Sequence, residues 1–235
     1  MLKAEKERSE KIFSLLKNAY PNAKITLEYE NPFQLLIATI LSAQCTDERV
    51  NIVTKELFKK YKCPKDFIKV SNEELEKDLF STGFYKQKAK SIKACCAELI
   101  SKHNSKVPAD FESLVKLPGV GRKTASVIAG NAFGIPAIAV DTHVKRLSNL
   151  LGFIKSDDTE KIEYRLKELL PEKDWIISGH LLMSHGRKIC VARRPKCLEC
   201  VLGDLCPSFS SEVKAKGQKS KFKSQRSKIN YDRER

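Results

Sequence analysis

Apolar residues in this chain recur every three to four positions and almost never every second one, the signature of helices that pack by one face. Ile12, Leu15, Leu16 and Ala19 share the face of a first helix that stops near Pro21. Asn31 followed by Pro32 predicts a helix start: a capping side chain, then a residue whose missing amide costs nothing in the first turn. The run from Phe33 to Ala43 reads as a buried core helix. Thr46 opens the next helix, with Val50, Val53 and Leu57 as its stripe, and Ser71 with Glu74 forms a capping box ahead of Leu75 and Leu79. Ile92, Cys95, Cys96, Leu99 and Ile100 repeat at helical spacing, and Asp110 caps a short helix through Leu117. Gly121 to Phe133, Val140 to Leu151, Asp158 to Leu170 and Asp174 to Ile189 complete the set. The predicted fold is all-α.

Beyond about Ser210 the pattern stops. Residues 211–235 hold nine basic and three acidic side chains and few apolar ones, so this tail is expected to be disordered. It carries +6 of the formal charge of +15, leaving +9 on residues 1–210. A globular part that is still basic fits either a polyanionic partner or a plain solvated surface. The charged N-terminus, MLKAEKERSEKIFSLL, is not a signal peptide, and no run is long and apolar enough to span a membrane. The expectation is an intracellular chain whose eight cysteines stay reduced, which turns attention from disulfides to metal.

Two stretches carry chemistry. Leu117-Pro-Gly-Val-Gly-Arg-Lys-Thr-Ala125 joins a short helix to a long one through a turn holding Gly119 and Gly121. Open amides at the start of the second helix make an anion site, and such a hairpin can grip a DNA phosphate without reading a base, although a Pro-Gly-x-Gly turn by itself is usually only a turn. Lys123 lies in the first turn of that helix, and Asp141 of Val140-Asp-Thr-His-Val144 follows eighteen residues later. The other stretch is C-x6-C-x2-C-x5-C, formed by Cys190, Cys197, Cys200 and Cys206. Zinc normally takes two separate two-ligand knuckles; here only Cys197 and Cys200 form one, and a single wrapped loop suits an iron–sulfur cubane better, with zinc left open by spacing alone. Cys95 and Cys96 sit on an apolar helix face and read as packing residues.

With Leu41-Ser-Ala-Gln44, Gly83-Phe-Tyr85, the hairpin, the aspartate segment and the cysteine loop in this order, the chain resembles the helix-hairpin-helix, Gly/Pro-rich-loop, aspartate superfamily of DNA glycosylases, and within it the endonuclease III family. The resemblance covers residues 1 to about 210. It implies two helical lobes with a DNA cleft between them: a six-helix lobe with the hairpin over 24–135, and a cluster lobe formed by 1–23 with 136–210. It implies a 4Fe–4S cluster on the four cysteines, and double-stranded DNA with damaged bases or abasic sites as partner. Lys123 would be the nucleophile at C1′, eased toward its neutral form by the positive helix end, and Asp141 would handle the proton across the cleft. Their plainer alternatives are a solvated helix lysine and a helix cap.

By the same resemblance Gln44 plugs the gap left by a flipped base and Phe84 takes the wedge position, often a leucine in the family; a helix-end polar residue and core packing are the alternatives. Asp47 would line the pocket or cap the helix after Thr46, and His143 reads as a structural histidine. Arg193, Arg194 and Lys196 in the loop between the first two cysteines would meet the DNA backbone. The implied activity is excision of oxidised pyrimidines with nicking 3′ of the abasic site, by a monomer in the cytoplasm at the nucleoid, a nucleus or organelle staying open. A non-catalytic DNA-binding redox sensor and a monofunctional mismatch glycosylase are the competing readings.

Overall fold

The computed structural model describes residues 2–209, so the basic tail at 211–235 lies outside the described residues. Eleven α-helices are present among them: α1 (Leu2–Ala19), α2 (Pro32–Leu41), α3 (Asp47–Lys60), α4 (Pro64–Lys69), α5 (Asn72–Leu79), α6 (Tyr85–Lys102), α7 (Phe111–Lys116), α8 (Arg122–Phe133), α9 (Thr142–Leu150), α10 (Thr159–Leu169) and α11 (Trp175–Lys188). A 3-10 turn spans Phe80–Thr82, and two more, Cys197–Glu199 and Gly203–Leu205, lie in the cysteine loop. The described residues contain no strand, and none of their helices is long and apolar enough to cross a membrane.

Side chains at the starts set most boundaries. Asn31 accepts the Gln34 amide at 3.0 Å, Thr46 that of Arg49 at 3.3 Å, Ser71 that of Glu74 at 3.1 Å and Asp110 that of Ser113 at 2.8 Å. Each such cap is worth about 1 kcal/mol. Only the Ser71 half of its expected box forms, because the Glu74 carboxylate turns toward the Tyr61 hydroxyl. The hydrophobic pattern did not announce α4, which is too short to show a period. Its signal is Pro64 in the first turn and Asp66, whose carboxylate takes the Lys62 and Cys63 amides at 2.9 and 3.0 Å.

The chain divides into two compact units, one of residues 24–139 and one of residues up to Ala23 with those from Val140 onward. In the first, α2 is buried from Leu35 to Leu41, so it is apolar all round and forms the centre, packed by α3, α6 and α8. Phe67 of α4 is fully buried there, with its ring 5.0 Å from that of Tyr61 and 5.7 Å from that of Phe33. Cys95 and Cys96 are completely buried, and burial pushes the Cys95 thiol up to about 12, so both behave as packing groups. The second unit closes around Ile12 and Leu16 of α1, Val144 and Leu147 of α9, Leu166 of α10 and Leu182 of α11. Arg8 of α1 ties this unit's loops by donating to the carbonyls of Leu151 at 2.8 Å and Leu205 at 3.0 Å.

Truncating Phe67 removes a fully enclosed ring. Phe67→Ala is expected to cost roughly 3–5 kcal/mol in chemical denaturation followed by circular dichroism; a loss below about 1 kcal/mol would contradict its place in the core.

Candidate functional site

The two hairpin glycines do different work. Gly119 has φ +80, and a Cβ built on it would lie 2.9 Å from Cβ of Ser91 on α6. It is needed both for its left-handed backbone and for the close seat of the turn on α6. Gly121 is the N-cap of α8 with extended backbone, and a Cβ there would meet nothing within 4 Å. Among the described residues no side chain caps α8, so its first turn lacks the capping partner that most of the other helices have. Lys123 is exposed in that first turn. Beside it, the Arg122 guanidinium lies over the Phe111 ring at 5.2 Å, which joins α7 to the start of α8.

Asp141 is the N-cap of α9 and is half-buried. Its Oδ1 accepts the Val144 amide at 2.7 Å, and no described residue takes Oδ2. One oxygen therefore fixes the carboxylate while the other remains available. α9 is held close to α11 by Gly186, where a Cβ would lie 2.9 Å from Nδ1 of His143. His143 is thus packed against a helix, as the structural reading expects. Lys123 belongs to one compact unit and Asp141 to the other.

Gln44 and Phe84 share an unusual feature. Both are exposed, and both have left-handed backbone, φ +52 and φ +47. For residues with a Cβ this costs about 1–2 kcal/mol each, and such strain concentrates at functional positions. Phe84 is 66% exposed, which removes core packing as its explanation. Asp47 does not cap α3; Thr46 does, and Asp47 instead accepts a hydrogen bond from the Thr26 hydroxyl.

Cys190, Cys197, Cys200 and Cys206 line one cavity of about 60 Å³, shared with Leu147, Leu202 and other apolar residues. No group of three or more Cys, His, Asp or Glu among the described residues is drawn together for a single metal ion. Thiolates on zinc would stand only about 3.8 Å apart, given bonds near 2.3 Å. Four soft sulfurs spread around a shared apolar cavity, with no carboxylate on its wall, fit a larger sulfur-ligated group. Burial pushes the Cys190 thiol up to about 11 against the pull of the Arg146 guanidinium. Metal binding there must therefore displace protons.

Sequence reasoning missed the residues around this cavity. Arg146 Nη2 donates to the carbonyls of Cys190 at 2.6 Å and Gly186 at 3.1 Å, tying α9 to the cysteine loop. His185 Nε2 lies 3.4 Å from Cys200 Sγ, and its Nδ1 lies 2.9 Å from the Tyr20 hydroxyl. Their one sequence signal is polar groups on the inward faces of α9 and α11. Arg193, Arg194 and Lys196 are all exposed, Arg194 with φ +60.

A family model described as "HhH-GPD superfamily base excision DNA repair protein" matches residues 37–172, and one described as "Iron-sulfur binding domain of endonuclease III" matches residues 190–206. The chain is 47% identical to endonuclease III of Synechocystis over 206 residues, covering 87% of this chain and 94% of that one. It is 48% identical to endonuclease III of Bacillus subtilis over 188 residues, covering 80% and 86%. A solved structure of a trapped endonuclease III–DNA covalent intermediate aligns with a TM-score of 0.83 at 47% identity, covering 88% of this chain and 98% of that chain.

Glycine accepts left-handed backbone without penalty, and the Phe84 ring is exposed. Phe84→Gly should therefore leave thermal stability unchanged or raise it by up to about 1 kcal/mol, read from melting curves; a marked loss would show that the ring supports the fold.

Proposed function

The chain belongs to the HhH-GPD superfamily of base excision DNA repair proteins and, within it, to the endonuclease III family, and on that footing we propose how its residues divide the work. It is a DNA glycosylase with abasic-site lyase activity, DNA is its partner, and its cofactor is a 4Fe–4S cluster. The open start of α8 takes a backbone phosphate through its first amides, with Gly121 leaving room for the approach. Lys123, exposed in the same turn, supplies the amine.

Lys123 Nζ attacks C1′ of the damaged nucleotide, and the C1′–N bond breaks as the base departs. The sugar ring opens to a Schiff base with the lysine. Loss of a C2′ proton then expels the 3′ phosphate, which nicks the strand, and water releases the enzyme. Asp141, oriented by the Val144 amide, takes up the lysine's proton and steadies the positive charge that develops on the sugar. Gln44 and Phe84 fill the space of the extruded base, compensating a few kcal/mol of lost stacking. Their fixed left-handed backbones project them without further ordering.

Cys190, Cys197, Cys200 and Cys206 hold the cluster. When bound, the group ties four points of one loop together. That loop presents Arg193, Arg194 and Lys196 to the phosphate backbone. The substrates are oxidised pyrimidines and abasic sites in duplex DNA, handled by a monomer at the nucleoid. The observation that carries this reading is the hairpin itself: an uncapped helix start with an exposed lysine in its first turn.

The test uses holoprotein with duplexes carrying thymine glycol, an abasic site or an A·G mismatch, with and without borohydride. Cleavage and trapping are expected on the first two alone. Lys123→Ala should lose trapping by roughly a thousandfold or more; undiminished trapping would assign the chemistry to another amine.

A further inference from the structure

Lys88 sits on the apolar face of α6, one turn ahead of Ile92, and is only 5% exposed. A buried ammonium is costly unless a carboxylate accompanies it. No described carboxylate pairs with it. Its Nζ makes one hydrogen bond, to the backbone carbonyl of Thr82 at 2.7 Å. Burial lowers its pKa, opposed by the Cys45 thiol, the titratable group whose field reaches it. A cation in the opening turns of a helix also sits at the unfavourable end of the helix dipole. Packing alone would favour an apolar side chain here.

The direction of that one bond is informative. Thr82 ends the 3-10 turn, and Gly83 with φ +69 and Phe84 with φ +47 follow it. The Thr82 hydroxyl is occupied by the Leu79 carbonyl at 2.8 Å. The Lys88 backbone amide donates to the Phe84 carbonyl at 3.0 Å. One residue thus holds both ends of a two-residue left-handed turn, by its side chain at the entry and its main chain at the exit. α3 packs against the same 3-10 turn, and Cys45 lies between α3 and Gln44, another exposed left-handed residue.

We propose that Lys88 is a positioning residue for base extrusion. Its bond to the Thr82 carbonyl holds the Gly83–Phe84 turn in the shape that drives Phe84 into the duplex, while Lys88 itself stays clear of DNA and of the chemistry. This rests on the reading of Phe84 as the wedge. The role separates opening of the stack, which needs the turn, from attack on an already accessible sugar, which does not.

The experiment compares wild-type holoprotein with Lys88→Met and Lys88→Arg on two DNAs. One is a duplex with thymine glycol next to 2-aminopurine, whose fluorescence reports unstacking in stopped flow. The other is a single-stranded abasic oligonucleotide, on which borohydride trapping needs no extrusion. Lys88→Met should slow unstacking and excision in the duplex by roughly tenfold to a hundredfold, with single-stranded trapping unchanged. Lys88→Arg, which keeps a donor for the Thr82 carbonyl, should recover much of the loss. Lys88→Gln, polar but too short to reach that carbonyl, replaces Lys88→Met if the latter does not fold. Equal losses on both DNAs, or none on either, would overturn the proposal. A wild-type protein that traps on neither DNA would overturn the functional reading beneath it.

Discussion

Helix α8 begins on a glycine that offers no side chain to its own first amides, and among the described residues a Cβ there would meet nothing within 4 Å. The hairpin before them is seated firmly. Gly119 lies so close to Ser91 that any larger residue would displace the turn, and α8 packs against the fully buried α2. The arrangement at α9 is the reverse, since Asp141 satisfies its helix directly. One helix start is left open for an anion, and the other spends one carboxylate oxygen on rigidity. The proposed division of labour between Lys123 and Asp141 depends on that contrast.

The helices were legible because capping residues and apolar stripes agree along most of the chain, as at Asn31, Thr46 and Asp110. The hairpin and the cysteine spacing were legible because each is contiguous in sequence. What stayed hidden was set by tertiary packing or by backbone angle. Nothing in Gly83-Phe84-Tyr85 announces a left-handed phenylalanine. The bond from Arg146 to the Cys190 carbonyl spans forty-four residues, and the one from Lys88 reaches backward to a main-chain oxygen that has no sequence signature. Position 88 did give a hint, a lysine standing where the stripe through Ile92 asks for an apolar side chain.

The cysteine loop is braced by side chains from outside it. Arg146 satisfies two carbonyls where α11 gives way to the loop, and His185 bridges Tyr20, just past the end of α1, to Cys200. Both contacts come from helices that also build the core of that unit. Order in the loop is therefore connected to order in the helix that Asp141 caps, since Arg146 lies on the same α9.

Phe84 stands apart from every constraint that shapes its neighbours. Its main chain is fixed by the turn beneath it, yet its ring is 66% exposed and fills no gap in the interior. Beyond the preference of its left-handed backbone for glycine, folding therefore places little demand on the side chain at this point. Such a site is free to drift or be redesigned, since exchanging one bulky side chain for another there alters the exposed surface while leaving the interior untouched. Under the proposed role of Phe84, substitutions at a position of this kind can change what the turn presents without a compensating change elsewhere in the chain.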